Sequence, residues 1–316
     1  MTALAPVQRS MRRATAVHHS SGYRRRRRRA TFLGLAFVSP WLIGLLAFGV
    51  YPFVTSLFYS FTAYSTLEPP RWVGLANYAQ LAGDERFATA VSNSIFYAVL
   101  AVTLETVAAL SLAMLLNQRI RLRAFFRTAF FLPSVTPVVA TAIIWLWMFN
   151  PRSGVVNSVL EAVGIDGPGW LADPSWSKPA LVIMSLWRIG TAMLIYLAAL
   201  QDVPRDLLEA AEIDGAGALR RMWHVVLPMV SPVMLFVGIT SLINALQLFT
   251  EVQVMTGGTG APADSTLMVA VYLWQTAFQN FNMGYASAQA WVLLLLIMAL
   301  TVITFRLSRR RIHYGD

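Results

Sequence analysis

Residues 201–228 read QDVPRDLLEAAEIDGAGALRRMWHVVLP and join two long apolar stretches of the chain. Positions 204–214 are mostly good helix formers, so we predict a helix there. Gly215 and Gly217 then end this helix, because glycine is favoured just past a helix C-terminus. A second short helix is predicted over 218–228. The segment is therefore expected to form two helices joined by a glycine hinge.

This segment, residues 202–228, is called the elbow below. Glu209 and Ile213 share one face of its first helix by their four-residue spacing. Ala210 and Ala211 between them are small, which permits close approach by another protein. A docking surface and an ordinary solvated amphipathic loop both fit this pattern.

The rest of the chain is dominated by apolar blocks. Of its 316 residues 57% are hydrophobic and only 13% are charged, against about 25% charged in a typical soluble domain. Six blocks are long enough to cross a bilayer as helices. We therefore predict an all-α integral membrane protein with six transmembrane helices, over residues 30–61, 93–116, 124–149, 179–200, 225–249 and 286–305.

Prolines inside several of these runs predict kinks, among them Pro133, Pro137 and Pro232. The turn-rich segment that follows the third run is expected to hold a short helix over 155–163.

The basic residues are distributed unevenly among the connections. Twenty lie in the N-terminal tail, the second-to-third connection, the elbow and the C-terminal tail, and four lie in the other connections. Because positive residues concentrate on the cytoplasmic side, both termini and the elbow are predicted to be cytoplasmic. The expected organisation is a basic tail (1–29), a six-helix domain (30–305) and a C-terminal tail (306–316), in a multi-pass protein of the cell membrane that contacts lipid and not nucleic acid.

Motifs for catalysis are missing from the sequence. There is no cysteine, the histidines number four, and Lys178 is the sole lysine. Lys178 follows no glycine-rich phosphate loop, so ATP hydrolysis by this chain is not expected. No nucleophile elbow or catalytic carboxylate pair is evident, and neither a metal nor a cofactor is predicted. The glycine cluster at 256–260 is interpreted as a flexible external loop.

Two charged residues fall inside predicted spans, where charges usually face a bundle interior or a wet cavity. Glu105 lies in the second run and Arg188 in the fourth. Glu105 could relay protons or serve as a hydrogen-bonded structural group. Arg188 could reach a cavity or pair with a partner chain.

The elbow resembles the signature loop of the permeases of ABC importers, often called the EAA loop. Gly215 falls at the signature glycine and Pro228 at the closing proline, whereas Met222 stands where an aromatic residue is commoner. In that family the loop forms coupling helices that dock into the ATPase subunit. The resemblance implies coupling roles for Glu209, Ala210, Ala211, Asp214, Gly215, Ala216, Leu227 and Pro228.

Further segments extend the resemblance to the carbohydrate-importing subgroup, similar to the first permease of the maltose, lactose and glycerol-phosphate systems. They are RTAFFLP at 127–133, IWLWMFNP at 144–151, TGG at 256–258 and MGYASA at 283–288. The resemblance implies the type I ABC importer permease fold. It also implies a second homologous permease, an ATP-binding subunit dimer, an extracytoplasmic solute-binding protein and a sugar as partners in alternating access.

In related permeases the fourth and fifth spans line the pathway. The polar or aromatic candidates there could instead form helix–helix hydrogen bonds. They are Trp187, Arg188, Thr191, Ser241, Asn244 and Gln247.

Two other classes of function remain open at this point. A proton-coupled secondary transporter would use Glu105 and would show an inverted repeat, which is not evident. A non-transporting receptor or scaffold would tolerate loss of Glu209 or Gly215 without a defect in uptake.

Overall fold

The computed structural model describes residues 21–66, 68–118 and 120–309. The outer parts of the two predicted tails, 1–20 and 310–316, lie outside these residues. The described chain is mostly α-helical. Its helices are α1 (Ser21–Leu45), α2 (Tyr51–Ser60), α3 (Ala76–Ala82), α4 (Glu85–Asn117), α5 (Arg123–Val135), α6 (Val138–Met148), α7 (Val155–Ala162), α8 (Pro174–Leu186), α9 (Gly190–Gln201), α10 (Arg205–Ile213), α11 (Ala218–Arg221), α12 (Leu227–Leu246), α13 (Thr250–Thr256), α14 (Val269–Trp274) and α15 (Met283–Arg309).

Other secondary structure is short. Strands β1 (Thr62–Ala63) and β2 (Arg71–Trp72) pair antiparallel. Among the described residues, π-helical turns occupy Leu46–Val50, Met222–Val226 and Gln275–Gln279.

Helices long and apolar enough to cross a membrane occur in four places within the described residues: Thr31–Ser60, Glu85–Asn117, Ala218–Leu246 and Met283–Ser308. Two bent pairs also qualify when each is taken as one span. The pair α5 and α6 bends by 101°, and the pair α8 and α9 bends by 52°. The described chain thus has four candidate spans, or up to six, and the predicted third and fourth spans are broken helices.

The break between α5 and α6 follows from Pro137. A residue before proline is disfavoured in helical conformation, and Thr136 is extended (φ −68°, ψ 134°). Pro137 itself is the N-cap of α6. The predicted kink therefore lies at Pro137, whereas α5 continues through Pro133 and α12 through Pro232.

Two of the π turns share a position relative to proline. Leu46–Val50 ends two residues before Pro52, and Met222–Val226 ends two residues before Pro228. Proline lacks an N–H and its ring crowds the carbonyl four residues earlier, so a widened turn accommodates it. The prediction of a separate second helix that stops at Pro228 is wrong, because the helix that begins at Ala218 continues through this π turn to Leu246.

The chain divides into two compact units at Ser56. The described part of the first unit is a helix that begins at Ser21, inside the predicted basic tail, with its π turn before Pro52. Its large apolar side chains are exposed, Phe37 and Phe48 most of all. Such a surface suits a helix whose surroundings are lipid or another membrane protein.

The second unit, from Leu57 onward, is organised around α4. Helices α8, α9, α12 and α14 all contact it. Small residues let neighbouring helix backbones approach closely within a membrane bundle. The buried alanines of α4 are Ala90, Ala98, Ala101, Ala109 and Ala113.

A second close approach joins α5 and α9. A Cβ atom built on Gly190 would overlap the carbonyl oxygen of Phe130 and would lie 2.6 Å from Cα of Phe131. Glycine is therefore required at the first position of α9.

Candidate functional site

The buried stripe of α4 carries one charged residue. Glu105 lies four residues after Ala101 and four before Ala109, so all three share one helix face. The small neighbours leave room beside the carboxylate. This face opens on a cavity of about 560 Å³.

The cavity lies among α4, α5, α6, α8, α9, α12 and α13. Trp187 is not among the lining residues; its ring packs edge-on against Trp145, with 5.8 Å between the ring centroids. The other pathway candidates all line the cavity: Arg188, Thr191, Ser241, Asn244 and Gln247.

Arg188 lies at the break between α8 and α9, which places its side chain at the cavity. Its Nη1 atom is 3.6 Å from Oε1 of Glu251. Nε of Arg188 is buried and has no hydrogen-bond partner among the described residues. Sequence reasoning missed Glu251, because it cut the fifth span at Phe249 and assigned the following residues to an external loop.

Glu105 has a different partner. Ser241 of α12, which also lines the cavity, interacts with its carboxylate. Further hydroxyl groups in the lining were also missed, and short hydroxyl side chains in apolar runs give little signal in a sequence. They belong to Tyr97, Ser134, Thr141, Ser185, Thr240 and Thr250.

The cavity therefore presents hydroxyl, amide, carboxylate and guanidinium groups together. Such groups can exchange hydrogen bonds with a polyhydroxylated molecule, as both donors and acceptors. No cluster of three or more histidine, aspartate or glutamate side chains suited to a metal occurs in the described part of the chain.

The elbow forms the second candidate site. Helix α10 ends in a left-handed turn at Gly215 (φ +75°), and the N–H of Ala216 donates to the carbonyl of Ala211 at 2.9 Å. This is the Schellman arrangement that satisfies the last carbonyls of a helix. Arg221 of the second arm forms an ion pair with Glu212 of the first. The two arms are thereby held together across the hinge.

The matched residues of the elbow differ in exposure. Glu209, Ala210, Asp214 and Gly215 are exposed, whereas the remaining four, Ala211, Ala216, Leu227 and Pro228, are half-buried. Large apolar side chains are exposed beside them: Leu207, Ile213, Leu219 and Trp223.

Met222 and Trp223 of the elbow differ in exposure. Met222 is half-buried, whereas Trp223 exposes 60% of its surface. The elbow therefore presents an aromatic side chain on its surface at Trp223.

Gln201 ties the start of the elbow to α5. With its amide oxygen turned toward α5, Gln201 accepts hydrogen bonds from Arg123 (2.8 Å) and Arg127 (2.9 Å). The two arginines are one helical turn apart and share a face. The last residue of α9 is therefore linked to the first turns of the third candidate span.

A family model described as "Binding-protein-dependent transport system inner membrane component" matches residues 105–313. This range includes the whole elbow and most of the residues that line the cavity. The chain belongs to this family. It is thus the membrane component of a transport system that works with a binding protein, and a multi-pass inner-membrane protein.

Two relatives match most of this permease, and one of them is named for the transport of a sugar. It is 39% identical to the "Probable ABC transporter permease protein YesP" of Bacillus subtilis, over 91% of this chain and 94% of that protein. It is 38% identical to the "Lactose transport system permease protein LacF" of Rhizobium radiobacter, over 88% of this chain and 94% of that protein.

A solved structure shares the fold. In the crystal structure of a bacterial alginate ABC transporter in complex with alginate pentasaccharide-bound periplasmic protein, one chain matches with a TM-score of 0.77 and 22% identity. The match covers 89% of this chain and 96% of that one.

The permease also holds a polar cluster at the start of α4. The carboxylate of Asp84, the N-cap, accepts hydrogen bonds from the hydroxyls of Tyr285 (2.6 Å) and Tyr272 (2.8 Å) and from the N–H groups of Arg86 and Phe87. Burial alone would raise the pKa of Asp84, but these hydrogen bonds outweigh it and lower that pKa below its ordinary value. Burial, with the nearby Asp84 carboxylate, raises the pKa of Tyr272 to about 12.

The same cluster fixes the glycine-rich segment that follows α13. Arg86 pairs with Asp264 at 3.1 Å, and Asn93 donates to the carbonyls of Asp264 and Leu267. Gln275 donates to the carbonyl of Gly258. The segment 256–260, predicted as a flexible external loop, is thus partly buried and hydrogen-bonded in the structure.

Proposed function

We propose that this chain is the membrane-spanning permease subunit of an ATP-driven sugar importer and that its elbow docks a separate ATPase. One observation carries the proposal: an exposed, internally braced elbow with the importer signature projects from the helices that enclose a polar cavity. The acidic Glu209 and Asp214 and the apolar Ile213 are free to meet a partner.

The contacts of the elbow supply a route for motion. The Glu212–Arg221 ion pair joins α10 to α11, which is continuous with α12. Ser241 and Asn244 of α12 line the cavity. A displacement of α10 by an ATPase would therefore move one wall of the cavity, as alternating access requires. The ATPase must bind one conformation of the permease better than the other.

A sugar is the substrate class that best suits the cavity. Its hydroxyl and amide groups match the hydroxyls of a carbohydrate, and one relative is named for lactose transport. Arg188, Thr191, Ser241, Asn244 and Gln247 are proposed to face the pathway, with Trp187 packed behind Arg188 as support. The family relationship supports a second homologous permease, an ATP-binding dimer and an extracytoplasmic sugar-binding protein as partners, with the elbow and both termini in the cytoplasm.

The proposal is tested by site-specific cross-linking. Because the sequence has no cysteine, an introduced cysteine is the only thiol of this chain that can be labelled. A single cysteine at Glu209 or Ala210, carrying a photoreactive group, is expected to trap an ATP-binding protein in native membranes. The matched control is Val163→Cys, which is 68% exposed at the end of α7. An elbow site that traps no ATPase, or a control that traps the same one, would overturn the proposal.

Glu105 supports a second candidate, a proton-coupled transporter, because this acidic residue of a candidate span lines the cavity. The two candidates differ in energy source. Under the importer proposal, uptake persists when a protonophore collapses the proton gradient and ATP is maintained. Uptake that ceases under these conditions would favour the second candidate.

A further inference from the structure

The charged groups in the cavity lining are unequal in number. Among the lining residues, Glu105 and Glu251 are acidic and Arg188 is the single base. The lining contributed by this chain is therefore neutral if Glu105 is protonated, and carries one negative charge if it is ionised. In neither state does it carry an excess positive charge.

The one guanidinium is already matched to a carboxylate. Arg188 lies 3.6 Å from Glu251, and both side chains belong to the cavity wall. An acidic sugar would have to displace Glu251 from Arg188, which would leave the carboxylate of Glu251 without its cation. It would also approach Glu105, whose repulsion at a few ångströms is strong in a poorly solvated site.

The same pair is well suited to a neutral hydroxyl. A guanidinium that faces a carboxylate still has N–H groups to donate, and the side chain of Arg188 is 36% exposed in the cavity lining. The carboxylate oxygens of Glu251 and Glu105 can accept from hydroxyls. These donors and acceptors can hydrogen-bond with the hydroxyl groups of a sugar, and a neutral sugar brings no additional charge into the cavity.

We propose that this cavity selects uncharged sugars and rejects sugars that bear a carboxylate or phosphate. The proposal rests on the proposed function, since it specifies the substrate class of that site. It separates this chain from the alginate transporter of the same fold, whose cargo is described as an acidic polysaccharide.

Matched pairs of sugars test the proposal directly. The full-length tagged chain is purified from native membranes with the subunits that it retains. Thermal shift is then measured with a panel of uronic-acid oligosaccharides and of the same molecules with each carboxyl reduced to an alcohol, and with sugar phosphates and their parent sugars. Uncharged members are expected to bind about tenfold or more tightly than their charged partners. Equal or tighter binding of the charged members would overturn the proposal.

Two variants assign the selectivity to the ion pair. Glu251→Gln releases Arg188 from its carboxylate and is expected to shift the preference by about tenfold toward the anionic members. Glu251→Asp keeps the charge and should retain the preference for uncharged sugars. A preference that is identical in Glu251→Gln and in the unaltered chain would show that this pair does not set selectivity.

The sugar-binding test and the elbow cross-linking test can fail independently of each other. If elbow cross-linking traps an ATPase but no member of the panel binds, the importer proposal stands and the inference about this cavity fails. If uncharged sugars bind selectively but the elbow traps no ATPase, the selectivity stands and the docking proposal fails.

Discussion

At the scale of single residues, the two glycines of the elbow have different tasks. Gly215 adopts φ +75°, in the left-handed region, and completes the capping turn of α10. Gly217 adopts φ −63°, which any residue can reach, and a Cβ there would meet nothing within 4 Å. The hinge therefore depends on one glycine and not on both.

Gly215→Ala is expected to weaken transport without removing the protein from the membrane. A side chain in the left-handed region costs roughly 1–2 kcal/mol, which corresponds to a five- to thirtyfold shift in a two-state equilibrium. Membrane content is measured by immunoblot and coupling by ATP-dependent sugar uptake. Gly217→Ala is the control and should keep both. Equal defects in the two variants would contradict the assignment of the hinge to Gly215.

The cluster at Asp84 predicts a dependence of stability on pH. A carboxyl whose folded pKa is lowered stabilises the fold above its unfolded pKa, about 3.9. That stabilisation is lost as the pH falls through the folded pKa. Asp84→Asn should lower the melting temperature at neutral pH and flatten its fall in acid. Asp173→Asn, at the N-cap of α8, is the control and should affect acid unfolding less.

Tyr272 predicts how the stability of the protein depends on pH at the alkaline end. Because its folded pKa is raised from 10.0 to about 12, its stabilisation is complete below pH 10 and is lost between 10 and 12. Tyr272→Phe should therefore remove part of the alkaline loss of stability, as followed by thermal unfolding in detergent. An unchanged alkaline limb would argue that Tyr272 does not titrate in contact with Asp84.

Some residues of the site were accessible to sequence reasoning, and others were not. Glu105 and Arg188 stand out because a charge in an apolar run is unusual. Glu251 does not, because its importance comes from a partner 63 positions away that only the tertiary structure brings near. Trp187 shows the converse, since this aromatic residue beside Arg188 packs against Trp145 and is not among the residues that line the cavity.

At the scale of elements, the contact between α5 and α9 sets how tightly the two bent pairs pack. Gly190→Ala would place a Cβ on the backbone of α5, and overpacking of this kind costs about 1–3 kcal/mol. A lower melting temperature of the purified protein is expected. Gly238→Ala, in α12, is the matched control, because its Cβ would meet nothing within 4 Å. If both variants melt alike, the close approach of α5 and α9 is not a stabilising contact.

The elements themselves were predictable to different degrees. The apolar runs and α7 follow from local composition, and the break at Pro137 follows from the covalent structure of proline. The 52° bend between α8 and α9 has no proline at 187–189. Gly190, just after this bend, lies against the backbone of α5, and the local sequence does not reveal that contact. The elbow was predicted as two helices, but its second arm proved continuous with α12, because a π turn accommodates Pro228.

At the scale of the whole molecule, the distribution of arginines predicts which ends face the cytoplasm. Single cysteines at Ala210 and at Val163 are expected to react differently with a membrane-impermeant maleimide applied to intact cells with a permeable outer envelope. Val163→Cys should label at once, and Ala210→Cys only after the membrane is opened. Labelling of both from outside would contradict the proposed orientation.

The π turn at Met222–Val226 has a geometric consequence. Each residue of a helix advances the chain by about 100° around the axis, and a π turn holds one residue more than an α turn in the same place. The angular position of Leu219 around the helix axis, relative to the cavity-lining residues of α12, therefore differs from that in a regular α-helix. Pro228, nine residues after Leu219, thereby helps to set the direction in which the exposed face of α11 points.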